Sequence, residues 1–155
     1  IIYGGQQLSN GPIVIGSYLQ SKGFSIKVFD NNTMYKFYTD DEIIEVINRK
    51  CPNTIGLSIN MLNAFNSYKL LKKIKEKFPE KIVVAGGLHT FDAPNEVAQN
   101  GFDITFVGET EISMLKYLKL LNNQSKTIDS KLIKDSEFLR DLNLIPGLII
   151  NNEDQ

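Results

Sequence analysis

The sequence predicts a doubly wound α/β domain, in which a five-stranded parallel sheet carries helices on both faces and a short C-terminal strand follows. Short apolar runs rich in β-branched residues alternate with amphipathic stretches of helical length. The fourth run, Lys81–Ala85, is almost continuously apolar, which is typical of a strand buried on both faces. The chain has 155 residues, about the size of one domain.

The first strand is the apolar run Ile1-Ile2-Tyr3, which ends at Gly4-Gly5. A helix is predicted over 11–22, because apolar residues recur at helical spacing and Gly23 follows as a stop signal. The apolar positions of this helix are Ile13, Ile15, Tyr18 and Leu19. Apolar and polar residues then alternate over Phe24–Asp30, which predicts the second strand.

The second and third helices each have one apolar face. Asp40 can cap the second helix, and its apolar positions are Ile43, Ile44 and Ile47. Thr54–Ile59 is the third strand, because β-branched and apolar residues dominate it. The third helix is predicted over 64–77 and ends before Pro79. Its apolar positions are Tyr68, Leu70, Leu71 and Ile74.

After the fourth strand, Gly86-Gly87 turns the chain. A short helix over 94–100 has a proline in its first turn, and Ile104–Val107 is the fifth strand. The next helix begins at Glu109 or Thr110, where a carboxylate suits a helix start, and ends near residue 121.

The C-terminal part completes the domain. Residues 122–136 are rich in Ser, Thr and Asn and predict a mobile loop, and Leu148–Asn151 is a late strand that we expect to begin a hairpin. Residues 1–122 therefore form the main α/β domain, and 123–155 add the polar loop and the last strand. This order of elements is flavodoxin-like (Rossmann-like), with right-handed crossovers between parallel strands. In such sheets ligands bind beyond the carboxyl ends of the strands.

Composition argues against several kinds of partner. The net charge of −1 leaves no overall basic footprint for nucleic acid, and the lysines between 69 and 77 indicate a solvated helix face. No run of about 18 apolar residues exists to span a membrane. Cys51, the single cysteine, can form no internal disulfide, which suits a cytoplasmic location.

Glycines follow three predicted strands, in Gly4-Gly5, in Gly86-Gly87 and at Gly108, which precedes Glu109. A backbone without Cβ atoms can approach a flat or bulky ligand closely, although a glycine also serves simply to turn the chain. Their recurrence at one edge of the sheet favours a crevice lined by ligand.

Polar side chains occur at the same strand ends. Ser58 and Asn60 could orient a polar ligand group, or equally serve the strand end and cap the next helix. His89, the only histidine, could contact ligand or lie on the surface. Glu109 and Glu111 open a helix, and their default role is to stabilise its positive end.

Several enzyme classes lack required parts. The phosphate-binding patterns G-x-x-x-x-G-K-[ST] and G-x-G-x-x-G are absent. Cys51 precedes the third strand, so it cannot join His89 in a catalytic pair, and one histidine without a cysteine pair is a poor basis for a metal site. We assign no catalytic and no metal-ligating residue.

In combination, five segments carry a resemblance to a known family. They are Asn10–Leu19 with Lys22-Gly23-Phe24, Ile55–Ser58, Val83–Thr90, Phe102–Glu111 and Ile145–Ile149. The third is similar to a "GGxH" signature and the fourth to a "D-x-x-x-x-G-E-x-E" segment. The chain thus resembles the cobalamin (vitamin B12)-binding domains found at the N-terminus of many radical S-adenosylmethionine (SAM) enzymes.

The resemblance implies cobalamin as the ligand, bound His-off, since the D-x-H-x-x-G motif that supplies a lower axial histidine is absent. Ser58 and Asn60 would face the nucleotide tail. Gly86 and Gly87 would let the tail pass, and a valine at Gly87 is expected to block it without disturbing the fold. The other implied contacts are Leu88 and His89 beside the tail, Gly108 and Glu109 on the opposite wall, and Gly5, Gln6 and Gln7 near the lower corrin face.

Catalysis is not implied for this chain alone. Radical SAM chemistry uses a C-x-x-x-C-x-x-C motif to hold a [4Fe-4S] cluster that cleaves SAM, and the chain has one cysteine. We therefore expect an N-terminal module followed by a radical SAM domain, in a parent enzyme that transfers methyl groups or rearranges radicals. The alternative is a cobalamin-binding-like scaffold without cofactor that serves docking or substrate recognition. A flavin- or nucleotide-binding relative is disfavoured by the missing phosphate loop.

Overall fold

The computed structural model describes residues 2–4, 10–31 and 37–151, and a six-stranded sheet is the centre of this part of the chain. Its strands are β1 Ile2–Gly4, β2 Val28–Asp30, β3 Thr54–Ser58, β4 Ile82–Gly86, β5 Ile104–Phe106 and β6 Leu148–Ile150. The strand order is β2-β1-β3-β4-β5-β6. The first five strands are parallel, and β6 pairs antiparallel with β5. The flavodoxin-like, doubly wound prediction is confirmed.

Helices cover both faces of this sheet. They are α1 Asn10–Ser21, α2 Asp40–Lys50, α3 Ala64–Lys77, α4 Leu88–Asp92, α5 Pro94–Gln99, α6 Glu111–Asn122 and α7 Ser136–Leu142, with a 3-10 helix at Ser130–Lys134. None of the helices in the described ranges is long and apolar enough to cross a membrane.

Thr39, and not Asp40 as predicted, caps the second helix, and Asp40 is the first residue of that helix. The Thr39 hydroxyl accepts a hydrogen bond from Glu42 N, and the Glu42 carboxylate accepts one from Thr39 N. This reciprocal capping box satisfies two backbone donors at the helix start. Ile43, Ile44 and Ile47 are buried as predicted, and the bounds of α3 agree with those predicted.

The first helix buries only part of the predicted face. Leu19 is buried as predicted, and Ile15 and Tyr18 are half-buried, but Ile13 is 47% exposed while Pro12 and Gly16 are buried. The reason is tertiary: Gly16 lies directly against the Val28 side chain of β2, so the helix packs through its small residues. The second strand is also shorter than Phe24–Asp30, covering only Val28–Asp30.

The prediction of a mobile loop over 122–136 is wrong. A 3-10 helix lies in this segment, and its Leu132 and Ile133 are buried in a core with residues of β4, β5 and α6. Asp129 caps it, and Asp135 caps α7 through Phe138 N. The late strand β6 pairs antiparallel with β5; the hairpin predicted to begin there would continue past residue 151, outside the described residues.

Two hydrophobic cores lie on opposite faces of the sheet. One packs α2, α3 and α5 against β3 and β4, and includes Ile55, Leu57 and Val83. The other packs α6, the 3-10 helix and α7 against β4 and β5, and includes Val84 and Phe106. Val84 and Phe106 of the second core also border the candidate site at the carboxyl ends of the strands.

Candidate functional site

A cavity of about 680 Å³ opens at the carboxyl ends of β3, β4 and β5, between the sheet and the first turns of α1 and α6. This is the edge at which ligands bind in doubly wound sheets, and the volume is in the range of small-molecule sites. The predicted residues that line it are Ser58, Asn60, Gly86, Gly87, Leu88, Gly108 and Glu109.

The floor of the cavity is formed where two strands carry small side chains. Side chains alternate between faces along a strand, and Leu57 of β3 and Ala85 of β4 belong to the core on the α3 side. Gly56, Ser58 and Gly86 therefore lie on the other face. A Cβ built at Gly86 would meet no atom within 4 Å, so an open slot lies above this part of the sheet.

Gly87 has a different role from Gly86. Its φ is +110°, and a Cβ there would lie 2.5 Å from Ile59 O and 2.8 Å from Ile59 N. Two backbone hydrogen bonds hold the turn after β4 against Ile59: Ile59 N donates to Gly86 O, and His89 N donates to Ile59 O. The expectation that a valine at Gly87 would leave the fold intact is wrong, because its side chain would collide with backbone.

The turn after β3 is built by two asparagines. The Asn60 carboxamide oxygen accepts hydrogen bonds from Leu62 N and Asn63 N, and the buried Asn63 side chain donates to Ser58 O and accepts from Asn60 N. Asn60 thus shapes the loop. The Ser58 hydroxyl has no hydrogen-bond partner within the described ranges and lines the cavity, so it is available to a ligand.

The wall formed by α6 is acidic. Glu109 and Glu111 line it together with Thr110 and Met114, and no lysine, arginine or histidine of the described ranges lines the cavity. Thr110 makes no side-chain cap hydrogen bond. Carboxylates are hydrogen-bond acceptors, so this wall suits a ligand that presents neutral N–H donors. Over the described ranges, no group of three or more His, Cys, Asp or Glu could hold a metal ion.

His89 does not line the cavity. It lies on α4, a helix absent from the sequence prediction, and its Nε2 is 3.3 Å from Glu96 Oε1 on α5. The Tyr68 hydroxyl of α3 donates to the same oxygen at 3.0 Å. The hydrogen bond with His89, and after it the one with Tyr68, lowers the pKa of Glu96. The pKa of Tyr68 is raised, mainly by burial and to a smaller extent by its contact with Glu96.

Polar contacts hold α4 at the mouth of the cavity. Thr90, fully buried, has its hydroxyl 2.7 Å from both Gly87 O and Phe106 O. Leu88 and Phe91 of the same helix line the cavity yet are 76% and 68% exposed. Helix α4 is therefore positioned by Thr90 and by the His89–Glu96 contact more than by apolar burial.

Two exposed apolar residues that line the cavity, Leu88 and Phe91, form an apolar rim at its mouth. Most of the exposed large hydrophobic residues in the described chain lie in segments that follow the carboxyl ends of strands. They are Ile13, Val14, Met61, Leu62, Phe65, Leu88, Phe91 and Ile112. Clustered exposed apolar surface marks an interaction site.

Sequence reasoning missed much of the lining and could not reach all of it. Gly5, Gln6 and Gln7 lie outside the described residues. The lining residues that were not predicted as ligand contacts are Gly11, Pro12, Ile15, Gly56, Leu57, Ile59, Val84, Ala85, Phe91, Phe106, Thr110, Glu111 and Met114. The alternation of Gly56 and Ser58 between isoleucine and leucine in β3 was the available signal, since small residues on one face of a central strand leave space above it.

Comparison with known proteins places the chain beside a protein family and beside solved structures. A family model described as "B12 binding domain" matches residues 4–117. The N-terminal domain of the hypothetical protein TM0182 of Thermotoga maritima is similar in structure, with 22% sequence identity and a TM-score of 0.47, over 71% of this chain and 80% of that one. No curated protein matches the sequence.

Proposed function

This chain belongs to the family of B12-binding domains, and from that membership we propose that its cavity holds cobalamin with the nucleotide tail inserted between the sheet and helices α1 and α6. The open slot above Gly86 is the observation that carries the proposal. The residues around it fit the group: Gly56 and Gly86 leave room for a flat base, and the Ser58 hydroxyl is available for a hydrogen bond.

The walls suit the corrin periphery as well. Its amide side chains are N–H donors, and Glu109 and Glu111 offer carboxylate acceptors at the mouth. Leu88 and Phe91 add apolar surface for the rim of the ring. We propose that Gly5, Gln6 and Gln7 face the lower side of the corrin, as the family resemblance implies.

We propose His-off binding. The one histidine contacts Glu96 and is absent from the cavity lining. The imidazole ring of His89 would have to break its contact with Glu96 to reach a bound metal. We therefore propose that a group other than His89 faces the lower side of the cobalt.

A second domain completes the proposed function. The apolar rim calls for a partner over the mouth, and the family resemblance points to a radical SAM domain of the same protein, which would hold the [4Fe-4S] cluster and SAM. When bound, cobalamin supplies a cobalt centre that carries a methyl group or assists a radical rearrangement. The free, exposed Cys51 suits a reducing compartment, and we propose the cytoplasm.

Incubation with excess hydroxocobalamin, desalting and a visible spectrum of the protein fraction test the proposal. We expect the corrin absorption to co-elute with protein at about one equivalent. Colourless protein at saturating cofactor would instead favour the scaffold alternative, in which the fold serves docking or substrate recognition. Cobalt and iron analysis of the full-length protein tests the partner domain separately.

A further inference from the structure

A second groove lies away from the cofactor cavity and carries a concentration of lysines. It has a volume of about 930 Å³ and runs along α3, past the start of β5, to the 3-10 helix. Its charged residues come from separate parts of the chain. They are Lys69, Lys72, Lys75, Lys131 and Lys134, with the carboxylates Glu76 and Asp103. We call this the lysine groove.

One carboxylate of the lysine groove is already used inside the protein. Asp103 Oδ2 accepts a hydrogen bond from Val83 N at 2.6 Å and forms an ion pair with Lys75 Nζ. Lys75 Nζ also donates to Lys81 O. This half-buried pair joins α3 to the start of β5 and contributes no net charge to the groove surface.

The other lysines leave a positive surface. Lys69, Lys72 and Lys131 are exposed and form no ion pair with any residue in the described ranges. Two other exposed lysines are neutralised by carboxylates: Lys73, on the same helix, lies 3.1 Å from Asp40, and Lys126 lies 2.6 Å from Asp135. What distinguishes Lys69, Lys72 and Lys131 is that all three line one groove.

Apolar surface lies between these charges. Phe65, 68% exposed, Leu71 and Pro79 contribute to the lining. The Lys69 ammonium lies 4.4 Å from the centroid of the Phe65 ring, so one face of this exposed ring is covered by a cation and is closed to a stacking base.

We propose that the lysine groove binds an acidic segment of a partner protein in which apolar residues separate the carboxylates. Charge complementarity selects the acidic residues, and Phe65, the exposed Pro79 and the lysine stems receive the apolar ones. A nucleic acid fits less well, because one face of the Phe65 ring is covered by Lys69, Glu76 lies in the wall and the whole chain has a net charge of −1. The proposal does not depend on cobalamin.

Fluorescence anisotropy tests it with three labelled probes: a (Glu-Glu-Leu)4 peptide, a (Gln-Gln-Leu)4 peptide and a 12-nucleotide oligouridine. The groove variant combines Lys69→Gln, Lys72→Gln and Lys131→Gln. The control variant makes the same charge change away from the groove, with Lys22→Gln, Lys27→Gln and Lys116→Gln. Lys22 is a close match for Lys69, because its ammonium also lies over an aromatic ring, that of Tyr18.

We expect only the acidic peptide to bind well, and its affinity to fall about tenfold in the groove variant, as the loss of three modest ion pairs predicts. The control variant should lose less than about twofold, and added salt should weaken binding. Equal losses in both variants, no binding of the acidic peptide, or tighter binding of oligouridine would each overturn the proposal.

Discussion

The two faces of the central strands β3 and β4 differ sharply although the same ten residues form both. Towards α3, Ile55, Leu57 and Val83 are almost fully buried in a continuous core. Towards α1 and α6, Gly56, Ser58 and Gly86 line an open cavity. The first face holds the domain together, and the second leaves room for a ligand.

This difference shows how one sheet combines stability with binding. A filled face makes the position of the strands insensitive to what happens on the other face, because side chains in a packed core have few alternative arrangements. The open face then needs only small residues at the strand ends. Substitutions on the two faces should therefore have separable effects, and variants at four positions of β3, β4 and the turn after β4 test this.

The largest effect is expected on the packed face. Leu57→Ala should lower the free energy of unfolding by about 3 kcal/mol, since the lost transfer energy adds to the cost of a cavity. Urea denaturation followed by circular dichroism measures it. The matched control is Ser58→Ala, one residue along on the open face, which should change stability by less than about 0.5 kcal/mol. Similar losses for both variants would break the comparison.

Gly86→Val fills the open face. We expect cobalamin affinity to fall at least about 100-fold, equivalent to about 2.7 kcal/mol, because the new side chain occupies the slot. The unfolding midpoint should stay close to that of the wild type, since a Cβ at this position meets no atom within 4 Å. Gly86→Ala should give an intermediate affinity. Titration with hydroxocobalamin measures all three proteins, and undiminished affinity in the valine variant would place the tail elsewhere.

Gly87→Ala tests whether the adjacent glycines Gly86 and Gly87 have different structural roles. Its positive φ and the contact with Ile59 O predict a loss of about 2 kcal/mol in stability, in the range for a strained backbone position. Gly86→Ala is the control and should be close to neutral. Thermal unfolding of the two variants without cofactor decides the matter, and equal midpoints would contradict the assignment.

Ser58→Ala removes one hydroxyl from the open face. If this hydroxyl bonds the nucleotide tail, cobalamin affinity should fall about fivefold, which corresponds to the net value of one hydrogen bond, about 1 kcal/mol. Isothermal titration measures the change. A reduction as large as that of Gly86→Val would indicate a disturbed strand end, which the urea experiment on the same variant would reveal.

The smallest effect concerns the pH dependence of the α4 anchor. Because its hydrogen bonds to His89 and Tyr68 lower the pKa of Glu96 in the folded chain, the charged form stabilises the fold above the ordinary glutamate pKa of about 4.5. This contribution is lost as pH falls through the folded value. The difference in unfolding midpoint between the wild type and Glu96→Gln should therefore shrink from pH 6 to pH 3.5. A difference that stays constant would exclude this linkage.

Much of the fold could be predicted because its signals are local. The isoleucines of α2 and the periodic residues of α3 each specify a buried face within one helix, and both predictions agree with the structure. The position of the site followed from topology, because carboxyl ends of parallel strands share one edge. Ser58, Gly86 and Gly108 were found in this way.

Other features depend on contacts that no local pattern encodes. The helical spacing of Ile13 predicts a core residue. In the structure α1 packs against β2 through Gly16, and Ile13 is exposed. Leu132 and Ile133 are two apolar residues in a polar stretch. Their burial depends on packing against β4 and β5, which are remote from them in sequence. His89 follows a glycine pair in sequence, yet Glu96, seven residues on, determines where its ring lies.

The sequence by itself determined the order of the strands, the helices α1, α2, α3 and α6 between them and the edge of the sheet at which a ligand can bind, because each follows from periodicity or from the direction of parallel strands. Only the tertiary structure decided which glycine opens a slot and which closes a backbone contact, and which lysines share a groove. Such features arise from distances between segments remote in sequence, and the chain specifies those distances only once both of its cores have packed.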